Sequence, residues 1–457
     1  MHSNDTFQTE FAAIGAPPFV KQQALGFAAA AFWFVPRIST DLHQNYINMH
    51  AAAGNISEAM YANSFNVLAA PVQRTRLGID FHVWDELYQG SRSHLLGLYK
   101  AAIVQAPDID FVFFLDGTAS LRTLHAEFRQ TNVTLVHMPA RPGLVRLGAQ
   151  LPWLARRHRI DLLHTQYRLP LWRLGWGRFG AACACTIHDV LFETHPQYFP
   201  RLFTWQSRFF YRQAARRARL LLTVSAFSRQ EIARHYGVPP EAIVLTPNAA
   251  DGTRFFPGDA GADTVRALGL VPGRYLLTVG RLEPRKNHAT LIEAYAQLPA
   301  DAPDLVIVGQ RDFHYAAALD AIRRHRLQSR VRVLENVGDV ALPAVLRHAL
   351  LFIYPSFAEG FGMPVLEAMV SGVPVITSDT TSLPEVGGNA AQWIDPFSAP
   401  AMTQAMARLI AEAALRQQMI AAGLAQARRF DWDDAAAALL AGVRHCLSAS
   451  PESPKRP

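Results

Sequence analysis

At 457 residues, half of them apolar, the chain exceeds what one hydrophobic core organises and is read as two domains. Its three cysteines, Cys183, Cys185 and Cys446, leave an odd thiol and none of the paired spacings of a zinc site, which argues against a disulfide framework or structural metal and fits a reducing cytoplasm. The net charge of +7 favours an anionic partner, and composition does not choose among nucleic acid, a phosphorylated substrate and a phospholipid surface.

Residues 1 to about 75 precede the first convincing strand and carry no recognisable site, leaving a helical cap and an interaction arm both open. The apolar run from Ala24 to Val35 is shorter than the ~20 residues a spanning helix needs and ends at Pro36. Asp5 and Glu10 ahead of it disfavour a signal peptide. Beyond this segment, short β-branched or aliphatic runs alternate with longer helical patterns, the mark of parallel sheets covered by helices, so an α/β fold of two Rossmann-like domains facing a central cleft is expected.

In the first domain, placed at residues 76–250, strands are expected at LGIDFHV from Leu77, FVFFLD from Phe111, VTLVHM from Val133, DLLHTQ from Asp161, ACTIHD from Ala184 and LLLTVS from Leu220. Gly90 lies in a short loop between the first strand and a helix, where an ordinary turn and a border for phosphates are both open. His188 and Asp189 fall just past a strand end, where doubly wound sheets present ligand-binding groups. Arginines and aromatics interleave in RLPLWRLGWGRFG from Arg168 and FTWQSRFFYRQAARRAR from Phe203. Such surfaces can meet anionic lipids, and an amphipathic helix packed on its own sheet explains them equally well.

The Gly, Pro and Ala-rich stretch from Pro247 to Ala262 is the expected linker. The second domain, placed at 251–448, repeats the pattern at YLLTVG from Tyr275, LVIVG from Leu305, VRVLE from Val331, LFIYPS from Leu351 and PVITSD from Pro374. In VGRLEPRKNHATLIEAY a strand ends at Gly280 and a helix begins near His288, which puts Arg281 and Lys286 on the loop between them. A nucleoside diphosphate gathers negative charge as it leaves, and an arginine fork with a lysine point charge would stabilise it. Ordinary salt bridging, for instance with Glu283, is the plain alternative, and the glycine-rich segment that accompanies this one weighs against it. In LFIYPSFAEGFGMPVLEAMVSGVPVITSD a strand, a glycine-rich loop, a helix with Pro364 in its first turn and another strand follow in order. Gly360 and Gly362 permit close backbone approach, and the free amides of the helix start favour a phosphate. Glu359 on the loop and Glu367 one turn inside the helix can hold different hydroxyl groups, those of a sugar and a ribose. The tail at 449–457 is polar, proline-rich and expected to be disordered.

These two segments, with GID at Gly78, TIHD at Thr186, TVSAFSRQEI at Thr223, TPN at Thr246 and SLPEVGGNAAQWIDP at Ser382, resemble the retaining glycosyltransferase family 4, whose fold is GT-B. The resemblance runs from about Leu77 to Leu447. It implies that Arg281 and Lys286 bind the diphosphate, Glu359 holds the transferred sugar, Glu367 the ribose, and the backbone of Gly360, Phe361, Gly362 and Met363 the sugar and phosphate. It also implies a main-chain contact to the base at Val337, a place for Gly90 beside the phosphates, His188 as an active-site residue orienting hydroxyls, and a terminal helix after Phe430 that crosses back to the first domain.

The implied reaction is front-face substitution with no dedicated nucleophile, a departing phosphate oxygen helping to deprotonate the acceptor. The donor is an NDP-sugar, GDP- or UDP-linked, and the acceptor a saccharide or lipid-linked saccharide of envelope polysaccharide, handled in the cytoplasm or at the inner face of the membrane. No cofactor is implied, and because Asp108 with Asp110 and Asp431 with Asp433 lie outside the donor loops, metal-independent transfer is expected. The linker departs from the family pattern at Ala249 and Ala250, which bears on boundaries more than on activity. A nucleotide-sugar epimerase or hydrolase, and a catalytically idle binding scaffold, remain as alternatives, while no nucleic-acid motif accompanies the charge.

Overall fold

The computed structural model describes residues 74–84, 90–170, 181–312 and 314–448. The expectations for the N-terminal extension, for the tail and for most of the arginine-aromatic run after Arg168 concern residues outside these.

The aliphatic runs of the first half form seven parallel strands: β1 (Thr75–Asp80), β2 (Ile109–Leu115), β3 (Val133–His137), β4 (Leu162–Gln166), β5 (Ala182–Thr186), β6 (Leu220–Thr223) and β7 (Ile243–Leu245). They are ordered β3-β2-β1-β4-β5-β6-β7. Helices cover both faces, so the two-residue alternation of a strand divides between two apolar clusters rather than between core and water. Leu77, Ile79, Phe111, Phe113 and Leu115 enter one cluster, and Val112, Phe114, Leu163, Cys183 and Cys185 enter the other. The three cysteines are buried.

The second sheet is β8 (Tyr275–Val279), β9 (Asp304–Val308), β10 (Val331–Leu334), β11 (Leu351–Tyr354), β12 (Val375–Ser378) and β13 (Gln392–Ile394), parallel throughout and ordered β10-β9-β8-β11-β12-β13. Both sheets therefore reverse their winding direction once, between β1 and β4 in the first and between β8 and β11 in the second. At such a switch point the loops leaving the two carboxyl ends diverge over opposite faces and open a crevice.

The helices include α1 (Gly90–Gln105), α2 (Arg201–Arg217), α3 (Ala226–Tyr236), α4 (His288–Tyr295), α5 (Met363–Val370), α6 (Leu383–Gly387) and α7 (Trp432–Ser448). The last of these lies against α1, and Ala435, Ala436, Leu439, Leu440, Val443 and Cys446 complete the apolar cluster of the first sheet. None of the helices in the described residues is long and apolar enough to cross a membrane.

Candidate active site

Because β8 and β11 are neighbours, the loops that follow them emerge side by side. The first loop closes in a short turn, Pro284–Lys286, ended by Asn287 in the left-handed conformation at φ 60°. Asn287 donates its amide to the carbonyls of Pro355 at 3.1 Å and Pro396 at 2.7 Å. The Phe357 N–H donates to the Arg285 carbonyl at 2.9 Å, and the Arg285 guanidinium donates to the Ala358 carbonyl at 2.7 Å. These bonds stitch the two loops together and bring three charges into contact. Glu359 receives Lys286 Nζ on Oε1 at 2.7 Å and Arg285 on Oε2 at 2.9 Å. The Tyr354 hydroxyl also donates to Oε1, at 3.0 Å, and Arg285 reaches Glu283 at 2.6 Å.

Burial by itself would raise the Glu359 carboxyl, but Arg285 and Lys286 outweigh burial and hold it at about 2. Burial likewise acts against the Arg285 guanidinium, and Glu359 and Glu283 overcome it, raising Arg285 above its ordinary value. Lys286 is drawn below its ordinary value by burial, while Glu359 opposes that fall. Arg281 stands apart from this cluster, its side chain half exposed and paired with Asp312 at 3.0 Å. Of the two cations that the motif singles out, only Lys286 touches Glu359. Arg285, one position before it, is the second, and nothing in the motif spacing distinguishes it from a solvated arginine.

The glycine-rich loop continues from Glu359 into α5. Gly362 has φ 110°, a left-handed conformation that side chains rarely adopt, and it turns the chain into the helix. A Cβ on Gly360 would stand 2.7 Å from the Cβ of Asp189, so only glycine lets the first domain approach here. Ser382 donates one hydroxyl to the carbonyls of Glu359 at 2.8 Å and Phe361 at 2.9 Å. Met363 begins α5 and Glu367 lies buried on its second turn. Burial lifts the Glu367 carboxyl to about 7, with Arg254 pulling it down and Asp339 pushing it up. Arg254 also donates to the Asp339 carbonyl at 2.8 Å, which places the loop carrying Val337 in the same neighbourhood. Val337 is half-buried against the apolar cluster that includes Val365. Arg254 lies in the atypical linker sequence, where no motif marks it.

Across the crevice, His188 and Asp189 follow β5. His188 is buried with its ring 4.9 Å from that of His94 and 5.2 Å from that of Tyr167. Burial, reinforced by His94 and His164, pushes it well below the ordinary value, so the imidazole is neutral. His94 Nδ1 hydrogen-bonds Asn248 Oδ1 at 2.9 Å, and the Nε2 atoms of His94 and His188 have no partner among the described residues. Asp189 is raised by burial, and Arg285 and Lys286 lower it in part, which sets it facing the charged cluster. Gly90 is the first residue of α1 and is exposed. Its neighbour Ser91 meets the Tyr167 hydroxyl at 3.2 Å, joining the start of α1 to the surroundings of His188. Asp108 pairs with Arg444 at 3.2 Å and Asp433 accepts from Gln105 at 3.1 Å, so these two serve the contact between α1 and α7.

Two family profiles match the chain: Glycosyltransferase Family 4 over residues 90–254 and Glycosyl transferases group 1 over residues 268–426. The O-antigen chain mannosyltransferase B of Escherichia coli is 35% identical over 253 residues, covering 54% of this chain and 66% of that protein. The O-antigen chain mannosyltransferase RfbU of Salmonella typhimurium is 30% identical, covering 55% of this chain and 63% of that protein. The D-inositol 3-phosphate glycosyltransferase of Rhodococcus opacus is 31% identical, covering 47% of this chain and 50% of that protein. The chain thus spans two thirds or less of these relatives' own lengths. Among solved structures, the Anabaena protein HepE in complex with UDP and glucose superposes with a TM-score of 0.64 at 19% identity, over 81% of this chain and all (100%) of that one. The sucrose-phosphate synthase of Thermosynechococcus elongatus gives 0.66 at 20% identity, over 83% of this chain and 100% of that one. At these identities the likeness is one of fold.

The charge geometry separates two arginine-bearing pairs by their effect on folding. Glu359→Ala leaves Arg285 and Lys286 buried without their carboxylate and is expected to cost about 3–5 kcal/mol. Arg281→Ala breaks a half-exposed pair and is expected to cost less than about 1 kcal/mol. Urea midpoints of the two variants check this, and equal losses would contradict the buried cluster.

Proposed function

We propose that this chain, which belongs to the group 1 glycosyl transferases of glycosyltransferase family 4 and has the GT-B fold, moves a hexose-like sugar from an NDP-sugar to a saccharide or lipid-linked saccharide with retention. The observation that carries this reading is Glu359, buried between Arg285 and Lys286 where a glycine-rich loop opens a helix. Cations beside a helix start suit a diphosphate, and a carboxylate held ionised among them suits the positive charge that develops at an anomeric carbon.

In the reaction so read, the bond between C1 and the phosphate oxygen breaks as an acceptor oxygen bonds C1 on the same face. The acceptor proton passes to the departing phosphate oxygen. Arg281, Arg285 and Lys286 stabilise the charge gathering on the leaving group, and this chemistry needs no metal step. His188, neutral by burial, serves as a hydrogen-bonding group that orients a hydroxyl. Mannose leads the candidate sugars because two of the relatives are O-antigen mannosyltransferases, which also favours envelope polysaccharide as the setting.

A donor panel led by GDP-mannose and UDP-glucose, titrated by calorimetry and followed by mass analysis of products, tests the reading. A longer acceptor with consumed donor is expected, and Lys286→Ala should lower the rate by about 100-fold or more. Isomerised or hydrolysed donor without acceptor elongation would replace transfer with epimerase or hydrolase chemistry, and binding without turnover would indicate a scaffold.

Glu367 adds a pH dependence. Its folded-state value near 7 lies above the ordinary 4.5, so between those values the folded protein keeps the carboxyl protonated. A ribose diol that donates to the carboxylate favours the ionised form. Nucleotide affinity should therefore rise as pH climbs through about 7 and level off above it, and Glu367→Gln should flatten the profile. A flat wild-type profile from pH 6 to 8 would remove Glu367 from ribose binding.

Peripheral membrane contact is proposed on α2. This helix turns the small residues Thr204, Ser207, Ala214 and Ala215 inward, while Leu202, Trp205 and Phe209 stand 65%, 70% and 53% exposed. Arg201, Arg208 and Arg212 share the helix with them. Aromatic groups flanked by arginines fit an anionic bilayer interface. Co-sedimentation with phosphatidylglycerol vesicles should fall sharply in Trp205→Ala combined with Phe209→Ala, and wild-type failure to sediment would dismiss the contact.

A further inference from the structure

The backbone of the glycine-rich loop is held by hydroxyl groups from both domains. Ser382, at the start of α6, takes the carbonyls of Glu359 and Phe361. The carbonyl between them, that of Gly360, receives the hydroxyls of Ser225 at 2.7 Å and Ser228 at 3.1 Å, both from the first domain. All three serines are fully buried. Ser225 is the N-cap of α3: its oxygen accepts the Ser228 N–H at 3.0 Å while its proton goes to Gly360. In return, Glu385 on α6 caps the same helix from the second domain, accepting the Ala226 N–H at 2.8 Å and the Phe227 N–H at 3.3 Å.

A peptide is planar and trans, so a carbonyl held on one side turns the following N–H to the other. With the carbonyls of residues 359, 360 and 361 all engaged, the amides of Gly360, Phe361 and Gly362 are fixed in direction. None of these three N–H groups has a protein acceptor among the described residues. They lie at the entry to α5, where its first-turn amides also need anionic or polar partners.

We propose that Ser225 and Ser228 are positioning residues that set the Gly360–Phe361 peptide for the nucleoside diphosphate. The donor loop then takes its binding shape only when the first domain is seated on it. Donor affinity becomes a property of both domains, although Arg281 and the Glu359 cluster belong to the second. This inference rests on the nucleotide-sugar reading of the site.

The test titrates GDP and UDP into the full chain by calorimetry and measures acceptor KM with the productive donor. Ser228→Ala, which leaves the α3 cap oxygen in place, should weaken nucleoside diphosphate binding about fivefold. Ser225→Ala should do so at least as strongly, and Ser225→Thr, which keeps the hydroxyl and a competent cap, should restore most of it. Acceptor KM should stay within about twofold of wild type. Binding by a folded Ser228→Ala within about twofold of wild type would overturn the proposal. So would equal losses of donor and acceptor affinity, since these would mean general loosening. Should Ser225→Ala fail to fold, Ser228→Ala decides alone. If the wild-type chain binds neither nucleotide, the nucleotide-sugar reading itself falls, an outcome distinct from unchanged variants of a binding wild type.

Discussion

The carboxylate of Glu359 cannot be buried without cations, and Arg285 and Lys286 cannot be buried without it. The carboxylate and the cations come from different loops, so mutual neutralisation demands that the loops after β8 and β11 be held in one register. The bonds from Asn287, from the Phe357 N–H and from Arg285 to backbone carbonyls supply that register. The demand can be met only because the sheet order makes these two strands neighbours. The switch point is thus more than a convenient crevice here, since it brings together the two loops that carry the charged triad.

The two domains contribute opposite electrostatic characters. The second supplies fixed charge, in the Glu359 cluster and in Arg281. The first supplies His188, His94 and Tyr167, a buried group whose histidines are kept neutral by desolvation. A neutral wall thus faces a charged one across the crevice. Asp189 is the exception, and its contact with Gly360 is where the two characters meet.

Much of this architecture is legible in the residues themselves. The longer strands announce themselves as aliphatic runs, and the glycine loop as glycines bracketed by glutamates and followed by proline. The three-residue edge strands β7 and β13 do not, because IVL and QWI are too short to carry a period. Lys286 and Glu359 are identifiable as motif residues, whereas the partnership of Arg285 with Glu359 depends on a long stretch of intervening chain being collapsed into one parallel pairing. Ser225 and Ser228 are harder still. Each reads as a helix cap or a helix residue, and a second duty to a carbonyl more than 130 positions away has no local signature.

The terminal helix has a consequence for how the chain is made. The apolar cluster on one face of the first sheet joins residues between Leu77 and Phe128 to residues as late as Cys446. A growing polypeptide therefore cannot close its first domain until nearly the whole of this span has been synthesised. The second sheet, whose strands and cover lie mostly between residues 265 and 427, can finish earlier. In chain order, then, one face of the first domain is closed by residues that follow the whole of the second.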